Sequence, residues 1–417
     1  MKILFFGSDL FSIKSLIPLY NNLQKNGMIS HIQVITPPPK RTGRNLLKLK
    51  QTILDKSMPL LFQNLPPPIY SLEELSINKD SDSSMFDMCI AVSYGKLIPA
   101  ELINKLKYSI NVHPSLLPQY RGSSPLQYTL LNNDIYTGCS IQTLHPSKFD
   151  HGRIIVQTLP LKVDEILQPE NVNNETGTLV KYRYDNDDSH VGKFFLSENV
   201  IVENSLKIPD SLMLEEQSGN DGPLLLDLKD KMGNVGSLLL NEVISKQLYQ
   251  CLDTVTDNKC FIPHYKPSYA KKIKNTDREI NWNKDTASTI VNKINVLKSV
   301  YVRKEVNPKR KDVNDSKSVI TKLILLHDAT EIRDIDSLEN TEQDASVKQV
   351  LKCPGDAKYI DSLRQLIIKC HGDTYIGCKN LQFEGFKIEP ACKFIKGIYK
   401  RSRMPKVPEH NNVITFV

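Results

Sequence analysis

The first half of the chain alternates between short apolar runs and segments with helical spacing, and this alternation limits the possible folds. The runs KILFFG, HIQVIT, MCIAVSYG and SINVH are each long enough for one strand. Apolar residues between them recur at helical intervals, as at Ile13, Leu16, Ile17 and Leu23. Strands that alternate with helices favour a parallel, doubly wound α/β sheet. In such sheets ligands bind beyond the carboxyl ends of the strands.

The character of the chain changes after Ile262. A polar, basic segment, PHYKPSYAKKIKNTDREINW, leads to a candidate helix and then to several short strand-like pieces separated by turn residues. Short strands of this kind predict a small barrel or sandwich. We therefore expect an N-terminal domain over 1–262, a basic connector over 263–285 and a C-terminal domain over 286–417.

Charge is distributed unevenly along the 417 residues, whose formal net charge is +7. Between 161 and 222 there are 5 basic and 13 acidic residues, whereas between 264 and 311 there are 13 basic and 4 acidic residues. The first region is interpreted as an acidic surface insertion at about 163–222. The second suggests a polyanionic partner, although a solvated basic surface explains the count equally well.

Composition also limits the class of protein. No run approaches the roughly 20 apolar residues of a membrane span, so we expect no membrane partner. The eight cysteines include no CxxC pair, which indicates reduced intracellular thiols and no zinc site. No Arg-rich, acid-poor presequence precedes the first apolar run. We expect either that the protein is not imported or that its targeting peptide is missing from this chain.

The stretch NVHPSLLPQYRGSSP carries the first chemical signal. Asn111 and His113 are two residues apart in an extended strand, so both side chains face one side. An amide donor beside an imidazole suits a reaction in which charge develops on a carbonyl oxygen and a proton leaves a nucleophile. Pro114 and Pro118 restrict the following loop, whose leucines would form a stiff wall for a flat heteroaromatic ligand.

Asp150, in LHPSKFDHGRII, is the candidate third member. A carboxylate within reach of His113 would orient the ring and favour its protonated form. From the residues alone the alternatives stay open, because an N-x-H triplet arises by chance and an aspartate before His-Gly is commonly a turn residue. The neighbouring His145 and His151 lack metal-ligand spacing and are interpreted as loop histidines. Trp282 is interpreted as a packing anchor.

The whole stretch resembles the N-x-H-x-S-L-L-P signature of the formyltransferases that use 10-formyltetrahydrofolate. The resemblance implies a Rossmann-like formyltransferase domain in which Asn111, His113 and Asp150 are catalytic. It also implies that the loop lines the folate site, through Ser115, Leu116, Leu117 and Pro118. Formyl transfer of this kind requires no metal.

Further motifs are similar to those of the methionyl-tRNA formyltransferases within this family. FFGSDLFS replaces the Gly-rich phosphate loop of the glycinamide ribonucleotide enzymes, and YRGSSPLQY, TGCSIQTL and YAKKIKNTDREINW also match. The acidic insertion and the long polar loop after Arg303 are departures. They suggest a divergent mitochondrial member of fungal type. Matrix localisation therefore follows from the resemblance alone.

The same resemblance implies a methionyl-initiator tRNA partner, a C-terminal OB-like barrel that contacts the tRNA, and a first basic loop that reaches the acceptor stem. We expect a monomer. The tRNA-binding candidates are Lys40, Arg41 and Arg44 in the first loop, and Lys271, Lys272 and Lys274 in the connector. A weaker basic cluster lies in the tail KRSRMPK.

Two other functions remain possible from the sequence. One is another formyl-folate enzyme, either a small-amine formyltransferase or a formyl-folate hydrolase, which would not need the basic segments. The other is a catalytically silent protein that binds tRNA or folate. The complete set of Asn111, His113 and Asp150 argues against this second alternative.

Overall fold

A computed structural model gives the fold of the chain as two compact units. The first unit comprises Met1–Gly219 and Leu225–Lys272, and the second comprises Asn220–Leu224 and Ile273–Val417. The structure describes residues 1–25, 27–42, 46–77, 86–168, 178–183, 191–196, 206–217, 219–250, 266–306, 320–336, 347–402 and 413–417.

The first unit is built around an eight-stranded sheet. Its strands are β1 (Lys2–Gly7), β2 (His31–Ile35), β5 (Met88–Val92), β6 (Tyr108–His113), β8 (Ser140–Thr143), β9 (Ile154–Thr158), β11 (Thr178–Arg183) and β12 (Val191–Leu196). Their order in the sheet is β12-β11-β9-β8-β6-β5-β1-β2. Two small antiparallel pairs lie apart from this sheet: β3 (Lys40–Thr42) with β4 (Lys48–Lys50), and β7 (Tyr136–Thr137) with β10 (Leu161–Lys162).

The sheet confirms the doubly wound α/β prediction in its first half and adds an antiparallel second half. β2, β1, β5 and β6 are all parallel. From β6 onward, each neighbouring pair is antiparallel. The apolar runs predicted as strands form the buried parallel part; β1, for example, has five buried residues out of six. Strands buried on both faces read as continuous apolar runs, which explains why they were recognisable.

The first helix follows β1 at the position that the apolar spacing predicts. Asp9 caps the first helix, because its side chain accepts from the N–H of Ser12 while the Ser12 hydroxyl accepts from the N–H of Asp9. The helices of this unit are α1 (Leu10–Gln24), α2 (Ile53–Leu61), α3 (Ala100–Lys105), α4 (Pro125–Leu131), α5 (Val163–Leu167), α6 (Asp210–Gln217) and, apart from its first two residues, α7 (Pro223–Ser245).

The acidic insertion contributes structure to this sheet. β11 pairs with β9, and β12 pairs with β11, so the two strands form its outer edge. Two further elements of the insertion, α5 and α6, flank them in sequence. The insertion therefore carries strands and helices of its own, and the remainder of it lies outside the described residues.

The second unit is a nearly closed antiparallel barrel, in agreement with the OB-like prediction. Its strands are β13 (Val300–Val306), β14 (Ile320–Ile332), β15 (Asp356–Ile360), β16 (Gln365–Lys369), β17 (Tyr375–Phe383), β18 (Glu389–Pro390) and β19 (Val413–Thr415). The order is β13-β14-β17-β16-β15-β19, and β18 pairs with β17. The two ends approach each other, because the N–H and carbonyl groups of Arg303 and Val417 bond reciprocally at 3.2 and 2.9 Å.

Helices pack against this barrel, and its interior is apolar. They are α8 (Ala287–Leu297), α9 (Val347–Val350) and α10 (Ala391–Ser402). Phe394 and Ile398 of α10 join the barrel core, and Trp282 packs against the same core, as predicted for it. The polar stretch EIRDIDSLENTEQDASVKQV, at 331–350, is only partly described; it begins inside β14 and ends in α9.

Across the described ranges, no helix has the length and apolar character needed to cross a bilayer. The six cysteines described are free thiols.

Candidate active site

The predicted Asn–His pair lies at the end of a central strand. β6 has β5 as its parallel neighbour and β8 as its antiparallel neighbour. Asn111 and His113 are two residues apart on β6, so their side chains face the same side. The pair therefore occupies the carboxyl end of the last parallel strand, where the sheet changes direction. This is the position at which α/β sheets bind ligands.

Asp150 reaches both of these side chains. It lies in the loop between β8 and β9 with a φ of 56°. Its Oδ1 accepts a hydrogen bond from Asn111 Nδ2 at 3.1 Å and is 3.4 Å from His113 Nδ1. The side chains of His113 and Asp150 are only 6% and 8% exposed. Residues 39 positions apart in sequence thus meet in one polar cluster.

The imidazole of His113 is held from two sides. Its Nε2 is 2.9 Å from the carbonyl oxygen of Tyr120. Because a carbonyl can only accept, Nε2 carries a proton. In a doubly protonated ring, the Nδ1–H group would donate to the Asp150 carboxylate, and both N–H groups would bond within the protein. Such a ring would act on a ligand through its positive charge.

A buried glutamine on the neighbouring strand also contacts Asp150. Gln142 lies opposite Asn111 in the β6–β8 pairing and is 1% exposed. Its Nε2 donates to Asp150 Oδ1 at 2.9 Å, and its Oε1 accepts from the N–H of Gly152 at 3.2 Å. Sequence reasoning missed this residue. The sequence shows only an amide side chain within the apolar strand SIQT. That pattern does not reveal which strand pairs with SIQT, so it does not place Gln142 beside Asp150.

Two glycines bring the backbone close to the site. The N–H of Gly122 donates to Asp150 Oδ2 at 2.8 Å. Gly122 has a φ of 118°, and a Cβ there would lie 2.5 Å from the carbonyl oxygen of Ala270. A Cβ at Gly152 would lie 1.6 Å from the carbonyl oxygen of Thr143. The donors around the Asp150 carboxylate offset the cost of burying its charge.

The loop expected to line a folate site is packed against the interior. Leu116 and Leu117 are each 1% exposed, so their side chains belong to the core and do not form an open wall. The N–H of Leu117 donates to Ser140 Oγ at 3.1 Å, and its carbonyl accepts from Gln157 Nε2 at 2.8 Å. The Leu117–Pro118 peptide is cis. The N–H of Leu117 is therefore already bonded and is not available to a ligand at this loop.

A segment of the connector runs beside the same loop. The N–H of Arg121 donates to the carbonyl of Ser268 at 2.9 Å, and the N–H of Ala270 donates to the carbonyl of Arg121 at 2.7 Å. Ser268 Oγ also accepts from the N–H of Tyr120 at 2.9 Å. Ala270 is fully buried, whereas Tyr269 between them is 59% exposed. The segment that the sequence indicated only as basic thus supports the carbonyl that holds His113.

The basic candidates occupy exposed positions. Lys40 and Arg41 lie on β3, which forms a hairpin with β4, and both are exposed. Lys271, Lys272 and Lys274 are also exposed. Arg44 lies outside the described residues, as do Arg403 and Lys406 of the tail cluster. In that cluster, Arg401 forms an ion pair with Glu389 and lies over the ring of Phe386.

The two loop histidines have structural contacts. His145 Nδ1 accepts from the N–H groups of Ser147 and Lys148, each at 3.1 Å, and so stabilises the turn. His151 Nδ1 donates to the carbonyl of Phe149 at 2.6 Å. Over the described part of the chain, no group of three or more His, Cys, Asp or Glu residues is arranged to hold a metal ion.

Two family profiles match the chain. The formyl transferase profile covers residues 1–180, and the profile of the formyl transferase C-terminal domain covers residues 272–399. Among solved structures, a sugar 3N-formyl transferase crystallised with dTDP and 5-N-formyl-THF aligns over 93% of this chain and 99% of its own. The identity is 15% and the TM-score is 0.44.

Similar proteins are named as methionyl-tRNA formyltransferases. The mitochondrial enzyme of Saccharomyces cerevisiae is 34% identical over 421 residues, which span 96% of this chain and 90% of that protein. A putative enzyme of Schizosaccharomyces pombe is 26% identical over 72% of this chain and 74% of its own length. The human mitochondrial enzyme is 32% identical over 38% of this chain and 38% of its own length. Because the yeast relative aligns along nearly the whole chain, this protein belongs to the methionyl-tRNA formyltransferase family.

Proposed function

We propose that this protein transfers the formyl group of 10-formyltetrahydrofolate to the α-amino group of methionine esterified to initiator tRNA. The observation that carries the proposal is the convergence of Asn111, His113 and Asp150 at the carboxyl end of β6. An amide donor, a charged ring and a carboxylate within one cluster are the groups that acyl transfer from a formyl donor to an amine requires.

The mechanism follows from the contacts. The amine nitrogen attacks the formyl carbon, and the carbonyl electrons move to oxygen. Asn111 Nδ2 carries two hydrogens, one of which bonds to Asp150, so the second is available for this oxyanion. The positive charge of His113 stabilises the same oxygen. Collapse of the intermediate then breaks the bond between the formyl carbon and the folate nitrogen.

The proton of the attacking amine must also leave. Asp150 is the nearest candidate acceptor, directly or through water, and the released tetrahydrofolate nitrogen takes up a proton as the bond breaks. Because Asp150 is already surrounded by donors, we assign to it mainly the positioning of the charged ring and of the amine. No covalent intermediate with the protein forms, so positioning and electrostatics supply most of the rate.

The folate would lie against the loop Ser115–Pro118. Burial of the leucine side chains supports contacts through the backbone at this loop. The tRNA would contact the exposed Lys40, Arg41, Lys271, Lys272 and Lys274. Arg44, which lies outside the described residues, is proposed from the sequence alone. Phosphate contacts of this kind supply most nonspecific affinity for nucleic acid.

We also propose a location, an oligomeric state and domain boundaries for this protein. Relatives named as mitochondrial in yeast and human support a location in the mitochondrial matrix. We propose that the protein is a monomer. We also propose that its N-terminal domain spans 1–262, its basic connector 263–285 and its C-terminal domain 286–417. The similar proteins do not favour the small-amine, hydrolase or silent-binder alternatives.

The test is a formylation assay with purified methionyl-tRNA and 10-formyltetrahydrofolate. We expect Asn111→Ala, His113→Ala and Asp150→Ala each to lower kcat by about 10² or more, the usual effect of removing a donor or proton-transfer group. Tryptophan fluorescence of Trp282 and thermal unfolding would verify folding. Near-normal transfer by all three variants, with both substrates bound normally, would show that this mechanism is wrong.

A further inference from the structure

Aromatic side chains flank the candidate catalytic aspartate. Phe149 and His151 are its immediate neighbours in the chain, and Tyr269 of the connector lies beside His151. Phe149 and Tyr269 are 54% and 59% exposed. Large aromatic groups at such exposure, next to a buried polar cluster, form a surface that a planar ligand can cover.

Tyr269 is held at a defined position. Its neighbours Ser268 and Ala270 bond to the loop at Tyr120 and Arg121, which fixes the backbone on both sides of the ring. Successive side chains of an extended segment point to opposite faces, so Tyr269 faces away from the loop. The ring is therefore presented outward on a supported backbone.

His151 fixes the orientation of the tyrosine. Its Nδ1 donates to the Phe149 carbonyl, so in the neutral ring Nε2 is left to accept from the Tyr269 hydroxyl, 3.3 Å away. The two rings lie 6.1 Å apart with an interplanar angle of 31°. The hydroxyl thus ties the tyrosine to the residue that follows Asp150.

We propose that Tyr269 is the stacking platform for the terminal adenine of the aminoacylated acceptor end, a subsite that rests on the proposed function. The adenine is attached to the same ribose as the methionyl ester. When the amine reaches Asp150, the base must therefore lie near the residues that flank this aspartate. Stacking on an aromatic ring is a common way to hold an unpaired base.

Charge next to the ring supports this occupant. Lys271 and Lys272 follow Tyr269 by two and three residues, and both are exposed. They would contact the phosphates that precede the terminal nucleoside, while Tyr269 receives the base. An aromatic platform beside cationic side chains is the combination that binds single-stranded nucleic acid.

The test uses a methionyl-RNA minihelix whose terminal adenine is replaced by 2-aminopurine, a base whose fluorescence is quenched by stacking. The full-length protein should quench it on binding. Tyr269→Ala should abolish the quenching and raise KM for methionyl-tRNA roughly 5- to 150-fold, with little change in kcat. Tyr269→Phe keeps the ring and loses only the hydroxyl, so it should retain the quenching and most of the affinity.

Tyr136→Ala serves as the matched control, because Tyr136 is an exposed tyrosine of the same unit, on β7. It should leave both the quenching and KM unchanged. If Tyr269→Ala quenches like the unmodified protein and has a normal KM, the subsite is refuted while formyl transfer stands. If the unmodified protein fails to formylate methionyl-tRNA at all, the proposed function fails, and the subsite fails with it.

Discussion

Asn111 and Gln142 lie directly opposite each other on β6 and β8, and their amide nitrogens donate to the same oxygen of Asp150, at 3.1 and 2.9 Å. The pairing of the two strands thus builds a clamp for one carboxylate oxygen. Asn111 retains a second amide hydrogen for a ligand, whereas Gln142 is buried and also accepts from Gly152. Gln142 is therefore a positioning residue, and Asn111 is the better candidate to touch the substrate.

Replacing Gln142 by Leu should lower kcat about tenfold and leave KM for both substrates nearly unchanged. The variant removes one hydrogen bond to a charged group, an interaction of about 1.5–3 kcal/mol, and leaves the Gly152 N–H without its acceptor. Steady-state kinetics would measure this separation of kcat from KM. A normal kcat in a folded Gln142→Leu protein would contradict the positioning role.

Gln142→Glu removes the hydrogen-bond donor at this position and keeps the acceptor. The new side chain can still accept from Gly152, but its charge would face the Asp150 carboxylate. We expect activity at neutral pH to fall below that of Gln142→Leu, and to recover partly as the pH is lowered, because the protonated acid is again a donor. A pH profile parallel to that of the unmodified protein would argue against a direct effect on Asp150.

Gly122→Ala should lower both activity and stability. A Cβ there would lie 2.5 Å from the Ala270 carbonyl oxygen at a φ of 118°, so the N–H would move away from Asp150. We expect kcat to fall at least tenfold and the melting temperature to drop. Gly372→Ala is the control, since Gly372 also has a positive φ but no atom within 4 Å of its Cβ position. Equal activity of the two variants would contradict the explanation.

Tyr120 should make the free energy of unfolding depend on pH in the alkaline range. Burial, followed by the hydrogen bond to the Asp134 carboxylate, raises the pKa of Tyr120 to about 12 from its ordinary value of 10.0. Between pH 10 and 12 the unfolded state loses this proton while the folded state keeps it, so the stabilising contribution is complete below pH 10 and decreases above it.

Tyr120→Phe tests this expectation. The variant loses the bonds to Asp134 and Asn132 and should melt at a lower temperature at pH 8. At pH 11 the difference from the unmodified protein should be smaller. Thermal unfolding at the two pH values measures it, and a constant difference would show that ionisation of Tyr120 is not responsible.

Lys271→Ala and Lys272→Ala should each raise KM for methionyl-tRNA and make it less sensitive to salt. Each phosphate contact that is lost should reduce the slope of log affinity against log salt by about one. Lys105→Ala, at the end of α3, is the control, because Lys105 is exposed but lies outside the basic segments. Unchanged salt slopes in both connector variants would remove these lysines from the tRNA surface.

Much of the architecture was readable from the sequence. The parallel strands β1, β2, β5 and β6 are buried apolar runs, and a buried parallel strand has this pattern wherever its neighbours lie. The antiparallel half of the sheet was harder to predict, because β8 and β9 are short, and nothing in their composition reveals strand direction. The edge strands β11 and β12 lie within the acidic insertion, whose polar composition did not lead us to predict strands in the main sheet.

The sequence by itself determined that Asn111 and His113 share one face, since alternation along a strand is a local property. Only the tertiary structure decided which groups surround Asp150. Strand register set Gln142 opposite Asn111, and a connector 148 residues away set the backbone of Tyr120. Strand register and loop pairing depend on packing between segments that are distant in sequence. The order of residues within either segment does not reveal these contacts.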